Sequence, residues 1–419
     1  MTSIENAQEA PPTADQLLAQ IDVQRAAAAI DGRVVHTPTL PSPELSERVG
    51  TPVELKAECL QRAGSFKVRG ALNKVSTLGA DACLVAASAG NHGRAVAEAA
   101  RTRGVQCTVF MPSEAPVSKV TAIQELGAEV HLEGASVDET LALARDRAQE
   151  TGATFVHPFD DVDVIAGQAT LGLELLADVP DLARVLVPVG GGGLASGIGA
   201  ALRGSGRRVQ LIGVQAEVCA PYARELNALV PGRADAPDPA PGATIADGIA
   251  IKRPGSITRS LLGELLDGVV TVGEEEIADA IVFLAERSKL IVEGAGAVAV
   301  AAVRSSDLPA AEGTTVAVLS GGNIDSGLLA SLMLRHETEV GRRVRIYTRV
   351  ADRPGGLAEL LGLVARTRAN VIGVEHLRQA VPLRVRETGL ELTLETRGPG
   401  HTDEVLAALR AAGYDVTLG

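Results

Sequence analysis

Tryptophan is absent from this chain, and only three tyrosines and five phenylalanines occur in its 419 residues. So few rings leave no platform on which unpaired bases could stack. No cluster of Lys and Arg is long enough to track a phosphate backbone, and 52 acidic residues against 39 basic ones give a net charge of −13. A nucleic-acid partner is therefore not expected. Cysteine is also scarce. Cys59, Cys83, Cys107 and Cys219 are far apart, form no CxxC, and lie in or beside apolar segments such as ACLVAA and VQCTVFM, so they read as buried thiols. The longest apolar run, around GAGAVAVAAV, is too short and too rich in Gly and Ala to span a bilayer, and no membrane partner is expected. The N-terminal MTSIENAQEAPPTADQ lacks a basic segment followed by an apolar one, which predicts a cytoplasmic protein.

What is present is an ordinary globular composition, 46% hydrophobic and 22% charged. The length predicts two or three domains. After a disordered tail over 1–15, short β-branched runs alternate with helical patterns, which predicts an α/β fold with mostly parallel open sheets. Three units stand out. ACLVAASAGNHGRAVAEAARTRG reads as a strand ending near Ala87, a turn, and a helix from about Asn91. RVLVPVGGGGLASGIGAALRG repeats the plan with a strand through Val189, four glycines, and a helix from about Leu194. TTVAVLSGGN is a third strand, with Ser320, Gly321 and Gly322 at its end. Ligands of open parallel sheets collect beyond the carboxyl ends of the strands, where all three of these turns lie. The α/β pattern over about 60–160 predicts a small lobe inserted in a larger one, the whole running over 16–335. From 343 to 419 the order strand, helix, strand, strand, helix, strand predicts a separate ferredoxin-like α+β domain.

The glycines Gly190, Gly191, Gly192 and Gly193, opening a helix, expose backbone N–H groups with no side chains in the way, and the helix dipole favours an anion there. A phosphate is the natural occupant, since four consecutive glycines cost more chain entropy than a plain turn requires. Two cofactors remain open at this point. Gly190, Gly192 and Ala195 also satisfy a relaxed dinucleotide pattern, with Glu217 placed as a ribose-binding acid, which would make the chain an NAD-dependent oxidoreductase. That reading leaves GSFKVRG, SAGNHG and LSGGN without a role. Pyridoxal 5′-phosphate uses all of them: it needs a lysine for covalent attachment, a polar donor near its ring hydroxyl and a partner for its pyridine nitrogen, and Lys67, Asn91 and Ser320 qualify.

In this order and spacing, GSFKVRGA, SAGNHG, VPVGGGGL and LSGGN resemble the two-lobed fold-type-II pyridoxal-phosphate enzymes, most closely the threonine dehydratases (threonine ammonia-lyases) with their serine dehydratase and serine racemase relatives. The resemblance covers about residues 20 to 335. It implies that Lys67 carries the cofactor and later takes the substrate's Cα proton, that Phe66 packs beside the ring, and that Asn91 bonds the ring oxygen. Gly190 to Gly193 and Leu194 would hold the phosphate, Ser320 would face the pyridine nitrogen, and Ser88, Asn91 and His92 would bind the substrate carboxylate. For His92, a packed hydrogen-bonded histidine is an equal alternative. Departures narrow the activity. Serine racemases have a second serine where this chain has Ala89, so racemisation is expected to be weak. Their metal-binding acids would fall near Gln215 and Pro221, so no divalent metal is expected. Val68 and His92 disfavour cysteine and threonine synthases. Gly294 stands where many dehydratases have Pro, leaving the placement of Glu293 open.

The region 343–419 resembles an ACT domain, with DRPGGL, Asp352 to Leu357, in the loop where such modules bind amino acids. This implies allosteric control, with isoleucine or valine as effector, and isoleucine biosynthesis as the setting. The expected activity is conversion of L-threonine to 2-oxobutanoate and ammonia, with L-serine to pyruvate alongside, by a homodimer or homotetramer.

Overall fold

The computed structural model describes residues 12–226, 244–305, 308–377 and 386–419. They form two compact units, Met1–Ile324 and Asp325–Gly419. This corrects the expected boundary. Helix Ser326–Glu339, which the sequence reading assigned mostly to the first domain, groups with the second because it packs on the strand that follows it. Of the expected tail, 1–11 lie outside the described residues, and the chain is already helical at Ala14. Thr13 and Gln16 cap that helix reciprocally, a T-x-x-Q signature that begins inside the range read as tail.

Among the described residues, the first unit holds ten strands: β1 (Thr39–Pro41), β2 (Val53–Lys56), β3 (Cys83–Ala87), β4 (Gln106–Met111), β5 (Glu129–Leu132), β6 (Thr154–Phe155), β7 (Leu182–Pro188), β8 (Gln210–Ala216), β9 (Gly268–Val272) and β10 (Thr314–Val318). The larger sheet has the order β1-β2-β10-β7-β8-β9, parallel throughout except for the edge pair β1/β2. The smaller sheet, β5-β4-β3-β6, is all parallel. Strands covered by helices on both faces read as near-continuous apolar runs, which is why LARVLVP makes a central strand with Val185 to Pro188 buried, its one charge, Arg184, being bonded to Gln210 and the Pro309 carbonyl. Val185, Val187, Ile198, Leu211 and Val316 build the large-lobe core, while Leu84, Val96, Val109, Met111 and Ile123 build the small one. Each such side chain contributes about 1.5–3 kcal/mol by leaving water.

One consequence of the strand order matters for the site. Because β7 and β10 are neighbours, the turn after Pro188 and the turn after Val318 emerge side by side. Opposite them, the turn after Ala87 leads into helix Asn91–Arg103, which ends at Gly104 in the left-handed conformation (φ 74°).

Helix Lys67–Ser76 is tied to the body by a buried ionic cluster. Arg69 Nε and Nη2 donate to the two oxygens of Glu58 at 2.8 Å each. Its Nη1 and Nη2 also donate to Glu174 at 2.6 and 3.0 Å. Lys56 bonds Glu174 at 2.8 Å and Asp178 at 3.0 Å. Arg69, Glu58 and Lys56 are fully buried. Burial alone would raise the Glu58 carboxyl, but the charge and hydrogen bonds of Arg69 outweigh it and hold the group below its ordinary value.

The second unit contains β11 (Arg343–Ala351), β12 (Asn370–Leu377), β13 (Glu387–Glu395) and β14 (Val416–Leu418), in the antiparallel order β12-β13-β11-β14, with helices Gly356–Arg366 and Pro399–Ala411. This is the ferredoxin-like order. Along β11, Val344, Ile346, Thr348 and Val350 alternate inward, which fixes the register against β13 from Arg343↔Glu395 to Ala351↔Glu387 without a slip.

The cysteine expectation is corrected. Only Cys107 is buried; Cys59 and Cys219 are half-buried, and Cys83, the first residue of β3, is exposed. The apolar segment that follows it misled the reading, since burial along β3 begins one residue later. Among the described residues, no helix is long and apolar enough to cross a membrane. The GAGAVAVAAV run is instead an interior helix buried on every side from Gly294 to Val303.

Candidate active site

Lys67 is the first residue of its helix, and the loop before it lies along the turn after β10. Ser65 pairs with Gly321, and the Phe66 N–H donates to the Ser320 carbonyl at 3.1 Å. Two predicted site residues, Lys67 and Ser320, are thus locked together through backbone. The loop bends sharply to do this, with Ala63 (φ 58°) and Gly64 (φ 75°) both left-handed. Lys67 Nζ donates to the Pro158 carbonyl at 2.8 Å and lies 5.2 Å from the centre of the Phe66 ring. Desolvation lowers its pKa to about 8, against the opposing charge of Glu293. An amine so adjusted has a useful fraction of free base near neutral pH, as a nucleophile or a proton acceptor requires.

Asn91 begins the helix after β3 and faces the large lobe. Its Nδ2 donates to Glu293 Oε1 at 2.5 Å, and its Oδ1 accepts from Asn323 Nδ2 at 2.6 Å. Glu293, whose placement Gly294 had left open, is buried in the cleft with its N–H bonded to the Gly321 carbonyl at 3.1 Å. Burial pushes its carboxyl up to about 7, although Asn91 opposes the shift. Gly294 is needed where it stands, since a Cβ there would overlap the Ile245 carbonyl.

The four glycines lie between Val189 and the helix Gly193–Gly204, all buried. A side chain on Gly190 would meet Ile249, on Gly191 the Phe159 ring, and on Gly192 (φ 93°) the Tyr222 hydroxyl. That hydroxyl donates to the Gly191 carbonyl at 3.0 Å and is 2.9 Å from Thr258 Oγ1. Among the described residues, the N–H groups of Gly190 to Leu194 donate to no protein acceptor. Buried N–H groups are almost always paired. A row of them at a helix N-terminus fits an anionic group such as a phosphate.

Ser320 is buried just past β10, its hydroxyl 3.4 Å from the Ala295 carbonyl. Ser88 Oγ accepts from the Gly90 N–H at 3.0 Å within the turn that leads to Asn91. His92 is buried, its Nε2 bonded to the Val156 carbonyl at 2.8 Å, and desolvation brings it to about 3. A neutral ring donates from Nε2 to that carbonyl. Gln215 is also structural: its Nε2 donates to the Val189 carbonyl and its Oε1 accepts from the Ala223 N–H, both at 3.0 Å. Among the described residues, no group of three or more His, Cys, Asp or Glu could hold a metal. Glu217, the ribose partner of the dinucleotide reading, turns toward Gly273 at the end of β9, on the far side of β8 from the glycine turn.

Sequence reasoning missed several residues. Asn323 and Arg94 extend the Asn91 network, and Phe159, Tyr222 and Ile249 shape the glycine turn. Asp160 caps a distant helix, accepting from the N–H groups of Ser256, Ile257 and Thr258 at 2.9–3.0 Å. Asn323 stood within the LSGGN motif; the others carried no local signal.

The sequence pattern of the family described as pyridoxal-phosphate-dependent enzymes matches residues 30–321. The L-threonine ammonia-lyase of Thermotoga maritima is 45% identical over 402 residues, covering 95% of this chain and 98% of that protein. The L-threonine ammonia-lyase of Geobacter sulfurreducens is 43% identical over 401 residues, covering 94% and 98%. Among solved structures, the crystal structure of a T.th. threonine deaminase superposes with a TM-score of 0.66 at 38% identity, covering 73% of this chain and 98% of that one. The dinucleotide alternative is thereby set aside, and the chain belongs to the family of pyridoxal-phosphate-dependent enzymes.

Proposed function

We propose that the protein is a threonine ammonia-lyase, converting L-threonine to 2-oxobutanoate and ammonia, with L-serine to pyruvate as a second activity. The observation that carries this reading is the end-to-end likeness to the Thermotoga maritima L-threonine ammonia-lyase. The geometry supports it. The N–H groups of Gly190 to Leu194 would hold the cofactor phosphate, Asn91 its ring oxygen and Ser320 its pyridine nitrogen, with Phe66 beside the ring. When bound, the cofactor draws electrons from the substrate's Cα and so loosens the proton there.

Lys67 then acts as the base at Cα, as its lowered pKa permits. The turn Ser88 to Asn91, at a helix N-terminus, supplies N–H groups to the substrate carboxylate. The β-hydroxyl departs as water, and a water molecule returns on hydrolysis as the nitrogen leaves as ammonia. A hydroxyl, rather than a carboxylate, at Ser320 would not hold a proton on the pyridine nitrogen, which would favour elimination over transamination. Ala89 offers no acid on the opposite face, which argues against racemisation.

The second unit would bind a regulatory amino acid, isoleucine or valine, at the loop Asp352–Leu357. That loop lies between β11 and helix Gly356–Arg366, where Gly355 (φ 90°) makes the turn and Arg353 pairs with Glu359 at 2.8 Å. Assembly into a homodimer or homotetramer belongs to the same reading, as does a cytoplasmic setting.

The test is borohydride reduction of the purified protein followed by peptide mass spectrometry, together with 2-oxobutanoate and ammonia release from L-threonine. An adduct on Lys67 and equal release of both products are expected. An adduct elsewhere, or no ammonia from threonine or serine, would sink the proposal.

A further inference from the structure

A primary amide has a donor at one end and an acceptor at the other, so its direction is set by neighbours that can act in only one way. Asn323 has such neighbours at both ends. Its Oδ1 accepts from Arg94 Nη1 at 2.9 Å, and a guanidinium can only donate. Its Nδ2 donates to the Ala63 carbonyl at 2.9 Å, which can only accept. The second Nδ2 hydrogen goes to Asn91 Oδ1 at 2.6 Å. Asn91 is thereby forced to present its own Nδ2 the other way, where one hydrogen reaches Glu293 Oε1 at 2.5 Å. Reversing Asn91 alone would set two amide nitrogens face to face and turn an oxygen on the Glu293 carboxylate.

We propose that Arg94 is a positioning residue for the cofactor: acting through Asn323, it fixes the direction of the Asn91 amide, so that a donor rather than an acceptor faces the ring oxygen of pyridoxal phosphate. The inference rests on the functional reading in taking Asn91 as the partner of that oxygen. Arg94 follows Asn91 by three residues on the same helix, so the two side chains share a face, and Asn323 spans them. Its Nε is buried without a hydrogen-bond partner. An arginine held at that disadvantage is no ordinary surface residue. The Asn91 amide has two hydrogens, one for Glu293 and one for the ring oxygen, and only one direction of the chain of amides makes both available.

The test uses the full-length protein and three variants. R94K keeps a head that can only donate, R94M removes it, and R94E demands a donor from Asn323 in competition with the Ala63 carbonyl, so that the direction of both amides is no longer fixed. Pyridoxal phosphate affinity is measured by equilibrium dialysis after the cofactor is stripped. The pH titration of the bound cofactor's absorption spectrum reports on its ring oxygen. R94K should bind within about twofold of wild type, R94M about tenfold more weakly, and R94E about tenfold more weakly again, with displaced spectral titrations in the last two. Wild-type affinity and titration in R94M, with only a lower melting temperature, would overturn the inference, as would R94E binding no worse than R94M. If R94E does not fold, R94M decides alone. Failure of the wild-type protein itself to bind pyridoxal phosphate would instead sink the functional reading on which this one stands.

Discussion

Replacing Arg69 with methionine keeps most of its bulk and removes its charge. Glu174 retains Lys56 at 2.8 Å, but among the described residues the fully buried Glu58 keeps only the Thr37 hydroxyl as a direct side-chain partner, with the Lys56 charge as a weaker, more distant influence. An uncompensated buried carboxylate costs about 3–5 kcal/mol. Glu58 can escape that cost by taking up a proton, which at pH 7 requires about 3.4 kcal/mol relative to its ordinary value of 4.5. The expected destabilisation at pH 7 is therefore about 3 kcal/mol or somewhat more. In the wild type the Glu58 pKa is lowered by folding, so its contribution is present above 4.5 and is lost as pH falls through the folded value. In R69M the folded value is raised, so the penalty grows with pH above 4.5, by about 1.4 kcal/mol per unit. Urea unfolding of the cofactor-free protein followed by circular dichroism at pH 5 and pH 7 should show R69M closing most of its deficit at the lower pH. The double variant E58Q/R69M should be less destabilised at pH 7, with little pH dependence. A deficit below about 1 kcal/mol, or one of equal size at both pH values, would refute the electrostatic account of the cluster.

Four further outcomes are expected. Attachment of pyridoxal phosphate to the stripped protein should accelerate as pH rises through about 8 and then level off, because only the neutral Lys67 amine reacts; a midpoint near the ordinary 10.5 would contradict the desolvation of that side chain. G191A should lose cofactor retention and about 1–3 kcal/mol of stability, since its methyl would overlap the Phe159 ring, and F159A in the same chain should recover part of both. H92L should lower stability by about 1–3 kcal/mol through the lost bond to the Val156 carbonyl while kcat/KM stays within a few-fold; a large fall in kcat/KM at unchanged Tm would give His92 a direct role. In native thiol labelling Cys83 should react first and Cys107 last, because Cys83 is exposed whereas burial pushes the Cys107 thiol up to about 12.

The parts of the fold and site legible in the sequence are those whose cause is local. The strand-turn-helix units at Ala87 to Asn91 and Val189 to Gly193 declare themselves by apolar runs that end in glycine, and the alternation in RVRIYTRVA announces β11. The turns carrying the glycines and Ser320 share one end of the larger sheet because their strands are parallel neighbours, whereas the turn carrying Asn91 follows a strand of the smaller sheet and meets them only through the tertiary fold. What stayed hidden is long-range. Asp160 caps a helix that starts 96 residues later, and Arg94 meets a partner 229 residues away. No window of sequence contains either relation. Helix Ser326–Glu339 joined the wrong domain because nothing in its composition marks a linker before it.

The glycine turn is shaped from outside, by Phe159 on its N-terminal side in the chain and by Tyr222, Ile249, Thr258 and Leu262 well downstream. A nascent polypeptide released only as far as the turn itself lacks every wall of its mould but Phe159. Loading with the vitamin-derived group must therefore await emergence of the segment around Ile249 from the ribosome, and fragments ending before Tyr222 should stay empty however much of the phosphate-gripping motif they contain.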